Sequence, residues 1–133
     1  MSFLVSNSTA AQTTQSTGLT SFLASGFNIG SLAKINTSSA TYASWTFRKQ
    51  PKFFDVVTYT GNGASNQAIN HNLGSVPGMM IVKLVTNTST YGWQVWHRSL
   101  SNSDALLLNT TGAPITDLGW WFNTAPTATT FRV

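Results

Sequence analysis

Between Tyr42 and Arg98 the chain alternates apolar and polar side chains in short runs, and each run stops at turn-forming residues. Ala43, Trp45 and Phe47 fall on one side of a period-two pattern, and Tyr42, Ser44, Thr46 and Arg48 on the other. That alternation reads as a half-buried strand. Lys49-Gln50-Pro51-Lys52 reads as a turn. Residues 53–60 are aromatic and β-branched and close on Gly61-Asn62-Gly63, a strong turn signal. Residues 67–73 read as a short strand before Gly74-Ser75-Val76-Pro77-Gly78, where Gly74 is free to take positive φ and Pro77 fixes its own. Residues 79–85 are apolar apart from Lys83, the pattern of a central strand covered on both faces. Residues 87–90 read as a polar turn, and 91–98 alternate again. Residues 105–109 and 129–133 are further short strands. The count is seven or eight strands and no helix. Strands at this spacing build a sandwich or a barrel. The expected fold is all-β: one antiparallel β-sandwich domain over residues 1–133, connected either as a jelly roll or as an immunoglobulin-like fold.

The first forty residues are Ser/Thr-rich, with small apolar groups at Phe3-Leu4-Val5, Phe22-Leu23, Phe27 and Ile29. Residues 10–17 show no helical stripe and read as a loop, so this polar segment is expected to be partly irregular. Ser, Thr and Asn are about a third of the chain, which suits a β protein with many turns.

Composition narrows the chemistry. There are no cysteines, so disulfides, thiol nucleophiles and cysteine metal sites are excluded. The only acids are Asp55, Asp104 and Asp117. Two-carboxylate catalysis would need two of these three to converge. No nucleophile elbow, phosphate loop or dinucleotide fingerprint is present. The expectation is a non-enzyme with no catalytic residues, no cofactor and no metal. A net charge of +4, thinly spread, permits weak attraction to anionic partners without requiring it. No apolar run approaches a membrane span, and residues 1–5 are too short for a signal-peptide core. Neither nucleic-acid binding nor membrane insertion is expected.

His71, just before the Gly/Pro turn, reads as a residue that bonds loop backbone; the sharper alternative is a metal ligand shared with His97. The basic cluster Arg48-Lys49-Gln50-Pro51-Lys52 reads as a solvated turn rather than a nucleic-acid or headgroup patch, since nothing extends it into a stripe. Tyr91, Trp93, Val95 and His97 share one face of a strand; Gln94, Trp96 and Arg98 share the other. Both faces carry a tryptophan, and Trp120-Trp121 repeats the arrangement. An exposed Trp beside His or Arg is a sugar-stacking platform or an interface anchor. Tyr91, Trp93, Trp96, His97, Arg98, Trp120 and Trp121 are therefore the candidate partner- or glycan-contacting residues. Trp45, Phe47, Phe54, Val56, Ile81 and Val82 are the expected core. The ends are alike: Leu4-Val5-Ser6-Asn7-Ser8-Thr9-Ala10 compares with Leu106-Leu107-Leu108-Asn109-Thr110-Thr111-Gly112, which is either part of a tandem unit of roughly 100 residues or chance in a Thr/Asn-rich composition.

Three motifs together resemble a module of tailed-phage virion proteins. They are Tyr42-Ala43-Ser44-Trp45-Thr46-Phe47-Arg48-Lys49-Gln50-Pro51-Lys52-Phe53-Phe54-Asp55-Val56-Val57-Thr58-Tyr59-Thr60-Gly61, then Ile69-Asn70-His71-Asn72-Leu73-Gly74-Ser75-Val76-Pro77-Gly78 leading on to Lys83, then Trp93 to Leu100. Ser25-Gly26-Phe27-Asn28-Ile29-Gly30 and Ile35-Asn36 match upstream. The resemblance spans about residues 22–108. It implies a particle protein of the tail-fibre or receptor-binding type and carries over no catalytic residues. The chain lacks the lectin-like domain that can precede the module, which points to a small virion subunit or a fibre domain. The expected role is structural or adhesive: a tail-fibre or spike module that forms a homo-oligomer, a trimer above all, with other virion proteins and a host-surface glycan as further partners. The alternatives are a capsid decoration or head-fibre protein and a carbohydrate-binding module.

Overall fold

The computed structural model describes residues 1–86 and 91–133; the turn read at 87–90 lies outside the described residues. Along the described residues run β1 (Ser2–Phe3), β2 (Thr13–Thr14), β3 (Leu19–Leu23), β4 (Gly26–Ile29) and a single helical turn α1 (Ala33–Asn36). Then come β5 (Ala68–Asn70), β6 (Met79–Val82), β7 (Gln94–His97), β8 (Asp104–Leu107), β9 (Ile115–Thr116) and β10 (Thr130–Arg132). Every pairing is antiparallel, and the class is all-β. The strands divide into one four-stranded sheet, β6-β7-β8-β9, and three two-stranded ribbons, β1-β2, β3-β4 and β10-β5.

The turns form where the sequence places them. Gly63 and Gly74 both take positive φ, at 73° and 68°. Asn62 steadies the first of these turns by accepting the Ala64 N–H on its side-chain oxygen. The basic turn bends through Lys52 at φ 63°, and its N–H donates to the Leu73 carbonyl. β6, β7 and β8 follow as a meander in which Ile81 pairs with Val95 and Val95 with Leu106.

The core is small and lies in two places. Trp96, Ala105 and Trp121 are buried together on the four-stranded sheet, with Met80, Val82 and Trp120 packed against them. Ile69 and Phe131 are buried as directly paired residues of the β10-β5 ribbon. The Phe131 ring stacks on His71 and meets Tyr59 edge-on.

Four expected core residues are on the surface. Trp45 is 86% exposed, Phe47 56%, Val56 56% and Ile81 44%; Phe54 and Val82 are half-buried. The reason is shared. Residues 42–47 and 56–60 have the composition of strands, but no strand lies beside them, and alternation buries a face only when a second layer covers it. Residues 79–82 do form a strand. It is the sheet's edge, not its centre, and its Met79 and Ile81 face is open.

The N-terminal segment is more ordered than its composition indicates. β3 and β4 form a hairpin over Ala24-Ser25, with Phe22 opposite Phe27 and a register shift between Leu19 and Ser21. The polar loop after β1 is tied to the large sheet, since the Gln12 N–H donates to the Val85 carbonyl and Lys83 Nζ to the Thr9 carbonyl. The two ends that are alike in sequence differ in structure: residues 4–10 are loop, whereas Leu106 and Leu107 belong to β8.

Candidate functional site

The seven candidate contact residues do not form one surface. Trp96 and Trp121 are 3% and 2% exposed and offer no face to a partner. Trp121 donates its indole N–H to the Asp104 carbonyl at 3.0 Å, which fixes the ring beneath β8. Trp120 is half-buried against the same cluster. Trp120-Trp121 sits in a turn, so the strand rule that sends neighbouring side chains to opposite faces does not govern it.

Trp93 is half-buried and faces the N-terminal loop. Its indole N–H is shared between the carbonyls of Val5 and Ser8, at 3.2 and 3.1 Å. Its backbone N–H donates to the Asn109 side-chain oxygen. That oxygen would lie 2.5 Å from a Cβ at position 92, so a larger residue there would displace the Asn109 side chain from this bond. Trp93 therefore acts as a clasp for the N-terminal segment, a long-range role without any local sequence signal. Only Tyr91, His97 and Arg98 remain open to a partner. Arg98 lies along the Gly/Pro turn, with its N–H on the Gly78 carbonyl and its guanidinium against Gly78.

His71 is a structural residue. The Leu73 N–H donates to its Nδ1 and places the ring proton on Nε2, which donates to the Thr127 carbonyl at 3.3 Å. The three aspartates are likewise engaged locally. Asp104 accepts the Thr116 hydroxyl at 2.6 Å, and Asp117 accepts the Gly119 N–H. Asp55 pairs with Lys49 at 2.7 Å, not with the Arg48 or Lys52 also present in that cluster, and accepts the Asn72 N–H at 2.8 Å. The bond from Lys49, followed by the Asn72 N–H, holds the Asp55 carboxyl below the usual carboxylate range. Among the described residues no three of His, Asp and Glu gather as a metal-ligand set. No helix there is long and apolar enough to cross a membrane.

The surface itself is the unusual feature. Phe47, Phe53 and Phe54 form a ring cluster with centroids 5.3–6.5 Å apart. Phe53 is 65% exposed. Phe22 and Leu23 project from the β3-β4 hairpin. Two open clefts, of ≈ 980 and ≈ 930 Å³, lie between residues 53–61 and the β6 region. The chain exposes 9254 Å². A compact monomer of this mass exposes about 6,800 Å².

Fold and surface together define a small antiparallel all-β domain with many large apolar side chains exposed among the described residues. The chain belongs to the DUF7483 family, a domain of unknown function, whose match covers residues 1–133. No curated protein and no solved structure matches it.

Proposed function

We propose that this chain is a structural or adhesive component of a tailed-phage virion, a tail-fibre or spike module that works as a homo-oligomer. The observation that carries the reading is the surface. An excess of about 2,400 Å² over a compact monomer is what a subunit of an assembly exposes when it is taken alone. The exposed side chains are of the kind that anchors protein interfaces: Trp45, Phe47, Phe53, Tyr91 and Phe22. The motif resemblance supplies the setting, a phage particle. In this reading the four-stranded sheet is one layer of a sandwich that neighbouring copies help to cover. The trimer fits because each subunit then has two interfaces, and two standard ones take about 1,600 Å² from it.

Purified particles of the encoding phage test this. Mass spectrometry should find the chain in a fixed ratio to the other tail proteins, and immunogold should label the tail. Label over the head would favour capsid decoration instead. A chain confined to the lysate and absent from particles would remove the virion role.

A further inference from the structure

One strand, β6, and one segment of strand composition, residues 56–60, each have an open side. β6 pairs with β7 only, and among the described residues no backbone hydrogen bond reaches its outer edge. Residues 56–60, Val-Val-Thr-Tyr-Thr, are β-branched or aromatic throughout. The N–H and C=O groups of Val57, Thr58 and Tyr59 bond to nothing among the described residues. An extended segment with free N–H and C=O groups is a template for pairing with another chain.

Proteins that stay monomeric blunt such edges with charge, proline or a covering loop. Neither stretch carries a charge or a proline. Lys83, just past β6, is turned away to the carbonyls of Thr9 and Leu84. The two clefts keep these stretches apart within one chain, since both are walled by Val57 and Tyr59 on one side and by Val82 and Lys83 on the other. Residues 56–60 are also anchored at each end. Asp55 is held by Lys49 and Asn72, and the Thr60 carbonyl accepts from Gln67. These bonds tie the ends of the segment to Lys49, Asn72 and Gln67 rather than to β6.

We propose that residues 56–60 of one copy add to the free β6 edge of a second copy, making a five-stranded sheet in the order 56–60, β6, β7, β8, β9. This rests on the self-assembly part of the proposed function and is independent of the phage setting. The donor segment and the acceptor edge are different parts of the chain, so the contact is head-to-tail. Such contacts close into rings when the rotation allows, and three copies satisfy every donor and every acceptor. The surplus of about 2,400 Å² is enough for the two contacts each copy makes.

The absence of cysteine makes the test clean. Facing residues on neighbouring strands have Cα atoms about 4.5–5.5 Å apart, within disulfide range. Single variants Val57→Cys and Thr58→Cys are each mixed with Met80→Cys or Ile81→Cys and oxidised. At least one mixture should give a mixed dimer several-fold above the crosslinking of either variant alone. The double variant Thr58→Cys/Ile81→Cys should form ladders or closed rings. A bond formed only within one chain of the double variant, with none between single variants, would mean self-closure and overturn the proposal. A chain that sediments as an oligomer yet gives no mixed dimer overturns strand addition and leaves self-assembly standing. A chain that sediments as a monomer throughout overturns both.

Discussion

Trp120 and Trp121 are neighbours in sequence with opposite hydrogen-bond fates. The Trp121 indole N–H reaches the Asp104 carbonyl, whereas the Trp120 indole N–H is buried with no partner among the described residues. A made bond contributes about 0.5–1.5 kcal/mol, and a buried unmade one costs about 1–3 kcal/mol. Trp121→Phe is therefore expected to destabilise the chain by about 1 kcal/mol or more beyond Trp120→Phe. Urea midpoints at matched slopes measure the difference, and equal losses would contradict the assignment. Asp55 gives a pH signature. Its folded pKa lies below its unfolded one, so its stabilisation is complete above the ordinary aspartate value of about 3.9 and is lost as pH falls through the lowered folded value. The stability gap between the native chain and Asp55→Asn should hold at neutral pH and close in acid. A gap unchanged down to the acid limit would show that the Lys49 and Asn72 bonds contribute nothing.

At the scale of elements, the sequence is most informative where strands are bounded by turns and pair with near neighbours. The strands of the β6-β7-β8 meander lie where alternation places them and pair with their neighbours in sequence; β5 and β10 also lie where the pattern places them, but their pairing with each other is long-range and has no local signal. The β3-β4 hairpin is not legible, because its Ala24-Ser25 loop lacks the Asn-Gly or Gly-X signature of tight hairpins. Residues 42–47 show the reverse: a clear alternation with no partner strand to use it. Of the candidate site, the openness of Tyr91, His97 and Arg98 does not follow from the period-two pattern, which puts His97 and Arg98 on opposite faces. Nor does the burial of Trp96 and Trp121, since it depends on a turn folding back under β8 from a distance. The unpartnered aromatic segment makes its own prediction. Phe47→Ala, at a surface position, should change the stability of dissociated chain by no more than about 0.5 kcal/mol. It should lower the melting midpoint at concentrations where the native chain is assembled, because association raises apparent stability. Melts at two concentrations separate these effects. An equal loss at both would make Phe47 a core residue after all.

For the whole molecule, the decisive quantity is the balance of buried and open apolar surface. Among the described residues, six buried hydrophobic residues are set against exposed side chains that include Trp45, Phe47, Phe53, Phe22 and Leu118. A core this small leaves a chain of this length marginal by itself, because the conformational entropy of ordering scales with every residue fixed. In the proposed assembly a second copy would cover the open aromatics and supply the missing burial. Stability and assembly then form one equilibrium, as in obligate oligomers. Sedimentation equilibrium of the 133-residue chain over the micromolar range measures this most directly. The account predicts a mass that is a multiple of the single chain, three copies in the preferred arrangement, falling toward one copy on dilution or when Trp45 or Phe47 is replaced by alanine. A single-chain mass at every concentration, with the antiparallel fold intact by circular dichroism, would contradict it.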